Sequence, residues 1–567
     1  MPQNPADTPA DLVFHGGRVF TATAAAIAAA SGGPEPTAVA VRAGRIAAVG
    51  TDAELRALTG PRTEVIDLAG RTLLPGFIDA HAHPVSGGRE MNSCDLTGAV
   101  TLDDYRRLIA AYAAAHPEEK WILGGGWSME AFPGGVPSAE PLDAVVADRP
   151  VFLPNRDHHS AWVNTAALRL AGIDRHTPDP ADGRIERDTS GEPSGALHEG
   201  AMHLVERLVP AATPEQIERG LRTAQTHLHA LGVTAWQDAM IGAGQGAGTP
   251  PEVYAALDGR GELTARVVGA LWWDRHRGAE QLPELQATRA RFTGGRFRAT
   301  TVKMMLDGVF ETGTAAMLGP YLDRCGHATG NHGIAFIDPA TLPAHVTALD
   351  DAGFQVHFHA LGDGAVRAAL DALAAARAAR GGTPDSAGRD LRHHLAHIQI
   401  VHPDDLPRFA DLEATANAQP LWACNEPQMV ELTVPFLGPE RAAWQYPFGG
   451  LHRSGTRLAF GSDWPVSSPD PLKELHVAVH RTPPGDPTAE VFLPDQRLDL
   501  RTALRAFSAG SARVNHLDDV TGTIEAGKAA DLAVIDRDIL ADPTGLDTAR
   551  TLLTCVDGHP VHEAPGL

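Results

Sequence analysis

The chain is short of positive charge: 47 Lys plus Arg face 70 Asp plus Glu among 567 residues, a formal charge of -23 with histidine neutral. A nucleic acid or an anionic membrane needs a basic footprint, so a polyanion partner is excluded. Cysteine is scarce too. Cys94, Cys325, Cys424 and Cys555 are scattered with no CxxC pair, which argues against a disulfide framework or a zinc finger and fits a reducing cytoplasm. No apolar run approaches the roughly 20 residues of a membrane span. The one stretch resembling an export signal, Val19 to Ala30, is alanine-rich and follows Asp7 and Asp11 with Arg18 as its single positive flank. The expectation is a soluble, cytoplasmic enzyme.

What the chain does have is apolar mass and histidine. Hydrophobic residues make up 43% of it, enough for a large core, and several of its 27 histidines sit at the ends of apolar runs. At about 150 residues per domain the length suggests three or four domains, although a single α/β barrel takes roughly 250.

Near the N-terminus, Asp11 to Thr23, Ala38 to Gly50 and Glu64 to Leu68 alternate apolar residues around glycine-centred turns, a hairpin pattern. Asp531 to Asp536 and Leu552 to Val561, with a turn at Asp557-Gly558, repeat that texture at the other end. One small β-sandwich built from both termini, residues 1–71 and 517–567, is expected. Between them, buried strands are expected at Leu74–Ala80, Val233–Ala239, Arg266–Trp273, Thr300–Leu306, Phe354–Ala360, His393–Ile398, Ala414–Gln419 and Leu458–Asp463. Helical patterns intervene, so the fold class is α/β, a (β/α)8 barrel over residues 72–516. Residues 84–212 become an insertion after the first strand, with strand-like pieces at Trp121–Leu123 and Val151–Leu153, lying over the barrel mouth. Glycine and proline clusters at Gly242–Pro251, Gly381–Gly388 and Thr482–Pro487 read as loops.

The expected strands end in chemistry. LPGFIDAHAH closes on His81 and His83, which alternation places on the same side of a strand, where two imidazoles can grip one metal ion. FQVHFHA closes on His357 and His359, HHLAHI carries His397, and LAFGSDW ends near Asp463. In a barrel these ends converge on the C-terminal face, and imidazoles plus a carboxylate suit zinc or a similar divalent ion. Lys303 sits inside an apolar run, where desolvation favours the neutral amine. It either adds carbon dioxide to become an anionic carbamate bridging two metals or pairs with a carboxylate such as Asp307.

At this point the sequence resembles the amidohydrolase superfamily, in its branch of YtcJ-like proteins and N-substituted formamide deformylases. The resemblance rests on GFIDAHAH, VKMMLDG, HALGDGAV, LAHIQIVHPDD, GSDWPV and GTIEAGKAADLAVID, joined within the insertion by RDHHSAWVNTAAL and GEPSGALHEGAM. It implies a metal-dependent hydrolase with a β-sandwich beside the barrel. By resemblance, His81, His83, His359, His397 and Asp463 match metal ligands, and Lys303 matches the lysine carboxylated in binuclear members. His357 is read as supporting or packing. Gly364 stands where relatives often have Arg, and His158 where Gly is common.

The reaction this implies is hydrolysis of an amide, N-formyl or related C–N bond of a small organic substrate by metal-bound hydroxide, with one or two divalent ions, zinc first among them. Asp463 would take the proton from water and pass it to the leaving nitrogen. Asp157 and His159 are candidates for orienting the substrate, and Trp127 and Trp422 for aromatic walls. Three other strings are rejected. GTIEAGK lacks the Ser or Thr of a phosphate loop, His198-Glu199 with His203 has one residue too many for HExxH, and GAGQGAG lacks GxGxxG spacing. The alternatives are a mononuclear zinc deaminase acting on a ring amidine and a catalytically silent scaffold on the same barrel. The expected partner is the small-molecule substrate, with no nucleic acid and no membrane, and a homo-oligomer is compatible with the sequence.

Overall fold

Eight parallel strands in unbroken order organise the protein: β1 (Phe77–Ala82), β2 (Val233–Ile241), β3 (Arg266–Trp272), β4 (Phe297–Met305), β5 (Gln355–Ala360), β6 (His394–His397), β7 (Thr415–Ala418) and β8 (Leu458–Phe460). The computed structural model describes residues 8–25, 35–242, 248–381, 390–486 and 488–565. The end of the alanine-rich stretch (26–30), the outermost residues of the expected sandwich (1–7 and 566–567), and parts of the three expected loops (243–247, 382–388 and 487) lie outside the described residues.

The parallel sheet is the α/β barrel that the strand pattern predicts, and its interior strands are buried along their whole length, as parallel strands covered on both faces require. Its seam is closed by backbone rather than by a β8 to β1 ladder. The Asp463 N–H donates to the His81 carbonyl at 2.7 Å, and the His83 N–H donates to the Trp464 carbonyl at 2.7 Å. Asp79 adds a side-chain stitch, accepting from the backbone of His81 and of Ser462, each at 3.0 Å.

The apolar run expected to be the first strand divides in two. Thr72–Pro75 pairs with Leu532–Ile535 in a five-stranded sheet, and the barrel strand starts only at Phe77. Gly76 marks the break. A Cβ there would stand 2.3 Å from the Thr234 side chain, so only glycine lets the chain cross this close to β2. The five-stranded sheet mixes both chain ends and faces a four-stranded sheet of Arg45–Gly50, Ala38–Arg42, Leu12–His15 and Glu64–Asp67. Phe14, Val41, Leu73, Val534 and Cys555 are buried together between them. The turn expected at Asp557-Gly558 forms with φ of 49° and 72°, the left-handed pair that a tight hairpin needs.

The insertion carries its own six-stranded sheet, including Ile122–Gly125, Val151–Pro154, Ser160–Val163 and Pro193–Glu199. Trp127, Trp162 and Tyr105 are buried in one apolar cluster on it. His198, part of the rejected HExxH-like string, hydrogen-bonds the Ser160 hydroxyl at 2.7 Å. No described helix is long and apolar enough to cross a membrane.

Candidate active site and metal centre

At the C-terminal face, β1, β4, β5, β6 and the loop after β8 bring the expected groups together. The Nε2 atoms of His81 and His83 lie 3.1 and 3.0 Å from the same oxygen, Asp463 Oδ1. His397 Nδ1 is 3.9 Å from Asp463 Oδ2, and one ligand atom each from His81, His397 and Asp463 fall within 4.8 Å of one another. Lys303 Nζ stands 3.5 Å from His81 Nε2. The His359 ring lies 4.5 Å from that of His397, and its Nδ1 is 3.3 Å from Asp307 Oδ1. Asp307 therefore serves His359 and the backbone N–H groups of Leu361 and Gly362, not Lys303. His81 and Asp463 are among the groups near Lys303.

Backbone strain accompanies this convergence. Asp463 and His397 adopt φ of 57° and 72°, left-handed values that non-glycine residues reach at a cost of roughly 1–3 kcal/mol. Turning out of the strand at these points aims both side chains across the barrel mouth.

Electrostatics favour neutral rings at His81, His359 and His397 and a charged carboxylate at Asp463. Burial, with Lys303 alongside, pushes His81 down to about 3. Burial and neighbouring cations hold His359 and His397 well below the ordinary imidazole value. Burial opposes ionisation of Asp463, but the ring nitrogens gathered on it, His83 Nε2 at 3.0 Å among them, outweigh burial and hold the carboxyl well below its usual range. Burial pulls Lys303 down to about 7, so the amine is accessible in its neutral form.

The donor set fits a divalent cation. Two imidazole nitrogens crowd one carboxylate oxygen, and the buried Nδ1 atoms of His83 and His397 have no hydrogen-bond partner among the described residues. Neutral imidazoles beside an ionised carboxylate are what such an ion recruits.

A cavity of about 640 Å³, counted with its open mouth, lies above these groups. Trp422 lines it, stacked on His397 with ring planes 16° apart. His159 and Asp157 reach it from the insertion, and the Asp157 carboxylate accepts the His159 backbone N–H at 2.9 Å. Trp127 does not reach it, which corrects the expectation of an aromatic substrate wall there. Its indole is 0% exposed, packs against Phe132 and Trp162, and donates to the Leu153 carbonyl at 2.8 Å, so it belongs to the core of the insertion.

Sequence reasoning missed Glu199, which accepts from His159 Nδ1 at 2.9 Å and from the Thr314 hydroxyl at 2.8 Å. Its one signal was the failed zinc string. It also missed Glu311 and Glu426, acidic groups of the cavity wall with no motif around them. His158 turns away toward Glu90, at 3.1 Å, and Gly364 sits against the Ala316 carbonyl, 2.9 Å from where a Cβ would stand.

A parallel barrel with imidazoles and a carboxylate gathered at its C-terminal face, flanked by a sheet that both chain ends build, is the framework of a barrel hydrolase. The chain belongs to the amidohydrolase family, which it matches over residues 64–562. It is 31% identical to the protein LONG AFTER FAR-RED 3 of Arabidopsis thaliana, over 98% of this chain and 92% of that one. It is 29% identical to the N-substituted formamide deformylase of Arthrobacter pascens, over 93% and 95% of the two chains. The crystal structure of an uncharacterized metal-dependent hydrolase from Pyrococcus furiosus superposes with a TM-score of 0.68 at 25% identity, covering 93% of this chain and 99% of that one. The resemblance read from the sequence motifs thus holds over nearly the whole chain.

Proposed function

We propose that the protein is a metal-dependent hydrolase that cleaves an amide, N-formyl or related C–N bond of a small organic substrate. The observation that supports it best is the ionised Asp463 carboxylate, clasped by His81 and His83 at 3.1 and 3.0 Å on the floor of a cavity partly walled by Trp422. His81, His83, His359, His397 and Asp463 would hold the ion, with zinc suited to this nitrogen and oxygen set. When bound, such an ion supplies Lewis acidity to a carbonyl and acidifies water.

The chain's own groups supply the proton transfers and the orientation. Asp463 takes the proton of the attacking water at a carboxylate oxygen and returns it to the departing nitrogen. His159, fixed through Nδ1 by Glu199, is left with Nε2 as its remaining hydrogen-bonding atom and presents it to the substrate carbonyl oxygen. Lys303, if N-carboxylated, would add an anionic oxygen donor to the residues that would hold metal, since burial brings its amine down to about 7. A second reading, a mononuclear deaminase acting on a ring amidine, draws on the compact group of His81, His397 and Asp463 that a single ion would satisfy.

The deciding experiment loads the protein with zinc, counts the metal, and assays N-formyl amines, N-acyl amino acids, cyclic amides and ring amidines side by side. Release of amine from one of the first three classes is the expected result. Turnover of ring amidines alone, with one ion per chain, would replace this reading by the second.

A further inference from the structure

A chain of four buried side chains crosses the barrel behind the candidate metal centre. His81 Nδ1 is 2.8 Å from His357 Nε2, His357 Nδ1 is 2.6 Å from Gln237 Oε1, and Gln237 Nε2 donates to Asn515 Oδ1 at 2.8 Å. Each is 0% or 1% exposed, so water does not compete for these bonds. We propose that Gln237 and His357 are positioning residues that fix the tautomer of His81 and so set the affinity of the site for a divalent cation. The inference rests on the reading of His81 as a ligand.

Donors and acceptors set the protons along this chain of side chains. Gln237 faces Asn515 Oδ1 through its amide nitrogen and His357 through Oε1, the orientation that leaves His81 Nε2 free for a cation. An amide oxygen only accepts, so the proton of His357 sits on Nδ1. With its proton on Nδ1, His357 meets His81 through its other ring nitrogen. Its Nε2 is then an acceptor, and His81 must supply Nδ1–H. A neutral His81 with its proton on Nδ1 carries its lone pair on Nε2, the atom that faces Asp463. The opposite amide orientation would reverse every proton in the chain and place N–H, useless to a cation, at that atom. The relay links β2, β5 and the short helix Ser511–Val514, which ends next to Asn515, to β1, so the lone pair is set by parts of the chain far from the ligands themselves.

The roles divide cleanly in variants of the full-length protein. Gln237→Met keeps the length of the side chain and removes the acceptor, and His357→Phe keeps a ring and removes both nitrogens. Gln237→Glu keeps an acceptor oxygen, and Asn515 Nδ2, which has no partner among the described residues, can turn to the second oxygen. The measurements are zinc affinity by competition with a chromophoric chelator and the visible absorption of the cobalt-substituted protein. Gln237→Met and His357→Phe should lose roughly 10- to 100-fold in affinity and shift the cobalt bands, while Gln237→Glu stays near the parent. Parent affinity in both weakened variants, with His81→Ala losing the metal, overturns the relay and leaves the ligand reading intact. Parent affinity in His81→Ala overturns the ligand reading and the relay with it. If Gln237→Met fails to fold, His357→Phe gives the same comparison.

Discussion

Glu199 and His159 meet at 2.9 Å through His159 Nδ1, and the same Glu199 oxygen takes the hydroxyl of Thr314 at 2.8 Å. Two insertion residues and one residue of the loop after β4 thereby share one hydrogen-bonded junction beside the cavity. Gly308 makes room for it, since a Cβ there would lie 2.5 Å from Glu199 Oε1. The backbone of Glu199 is left-handed, with φ of 50°, which is the cost of aiming its carboxylate inward.

That junction sets a pH limit. Burial alone would lower His159, but the Glu199 carboxylate outweighs it and raises the ring to about 9. A raised histidine pKa means the charged pair is complete below the ordinary value near 6.5 and is lost as pH rises through about 9. Activity that uses charged His159 should therefore decline on the alkaline side near that value. In Glu199→Gln the alkaline limb should move toward 6.5, measured as a profile of kcat/KM against pH; an unmoved limb would remove His159 from the mechanism.

Asp463→Asn should lower kcat by a factor of about 10² to 10⁴, the usual worth of a positioned proton-transfer group, with most of the metal retained. Steady-state kinetics and metal analysis on the same preparation check both halves. Full activity would refute the proton-shuttle role.

Lys303→Met should reduce the metal content from two ions per chain to one if the lysine is carboxylated, and Lys303→Glu should restore part of it by replacing one carboxylate with another. Metal analysis after growth in zinc-supplemented medium reads the outcome. Two ions in Lys303→Met would assign the lysine to another task.

The two tryptophans first read alike should separate. Trp127→Ala should destabilise the protein by about 3–5 kcal/mol, as large-to-small changes in a packed core do, with KM unchanged in the fraction that folds. Trp422→Ala removes a ring stacked on His397 at the cavity wall and should raise KM with a smaller loss of stability. Thermal melts and saturation curves distinguish the two.

These cases show where sequence was a sufficient guide. The histidines at the ends of apolar runs were legible because strand alternation and barrel geometry leave them one place to converge. Gly76 was not legible as a boundary, since Leu74 to Ala80 reads as one apolar run until Thr234 is seen pressing against the chain. Trp127 looked like a cavity wall because a ring with a polar edge has the same composition whether that edge meets a substrate or the Leu153 carbonyl. Gln237 was invisible for a different reason. Gln237 meets His357 across 120 residues and Asn515 across 278, and no local pattern records such partnerships.

The seam of the barrel has a consequence for how the protein comes into being. His83 and Asp463 are separated by 380 residues, and the backbone bonds that join their segments also close the barrel. A ribosome has therefore made most of the chain before a metal could find more than half a site. Loop closure over that distance is slow to form by chance, so a partly folded chain is also an inert one. Capacity to hydrolyse should appear in a single step, late, when the two edges of the sheet meet.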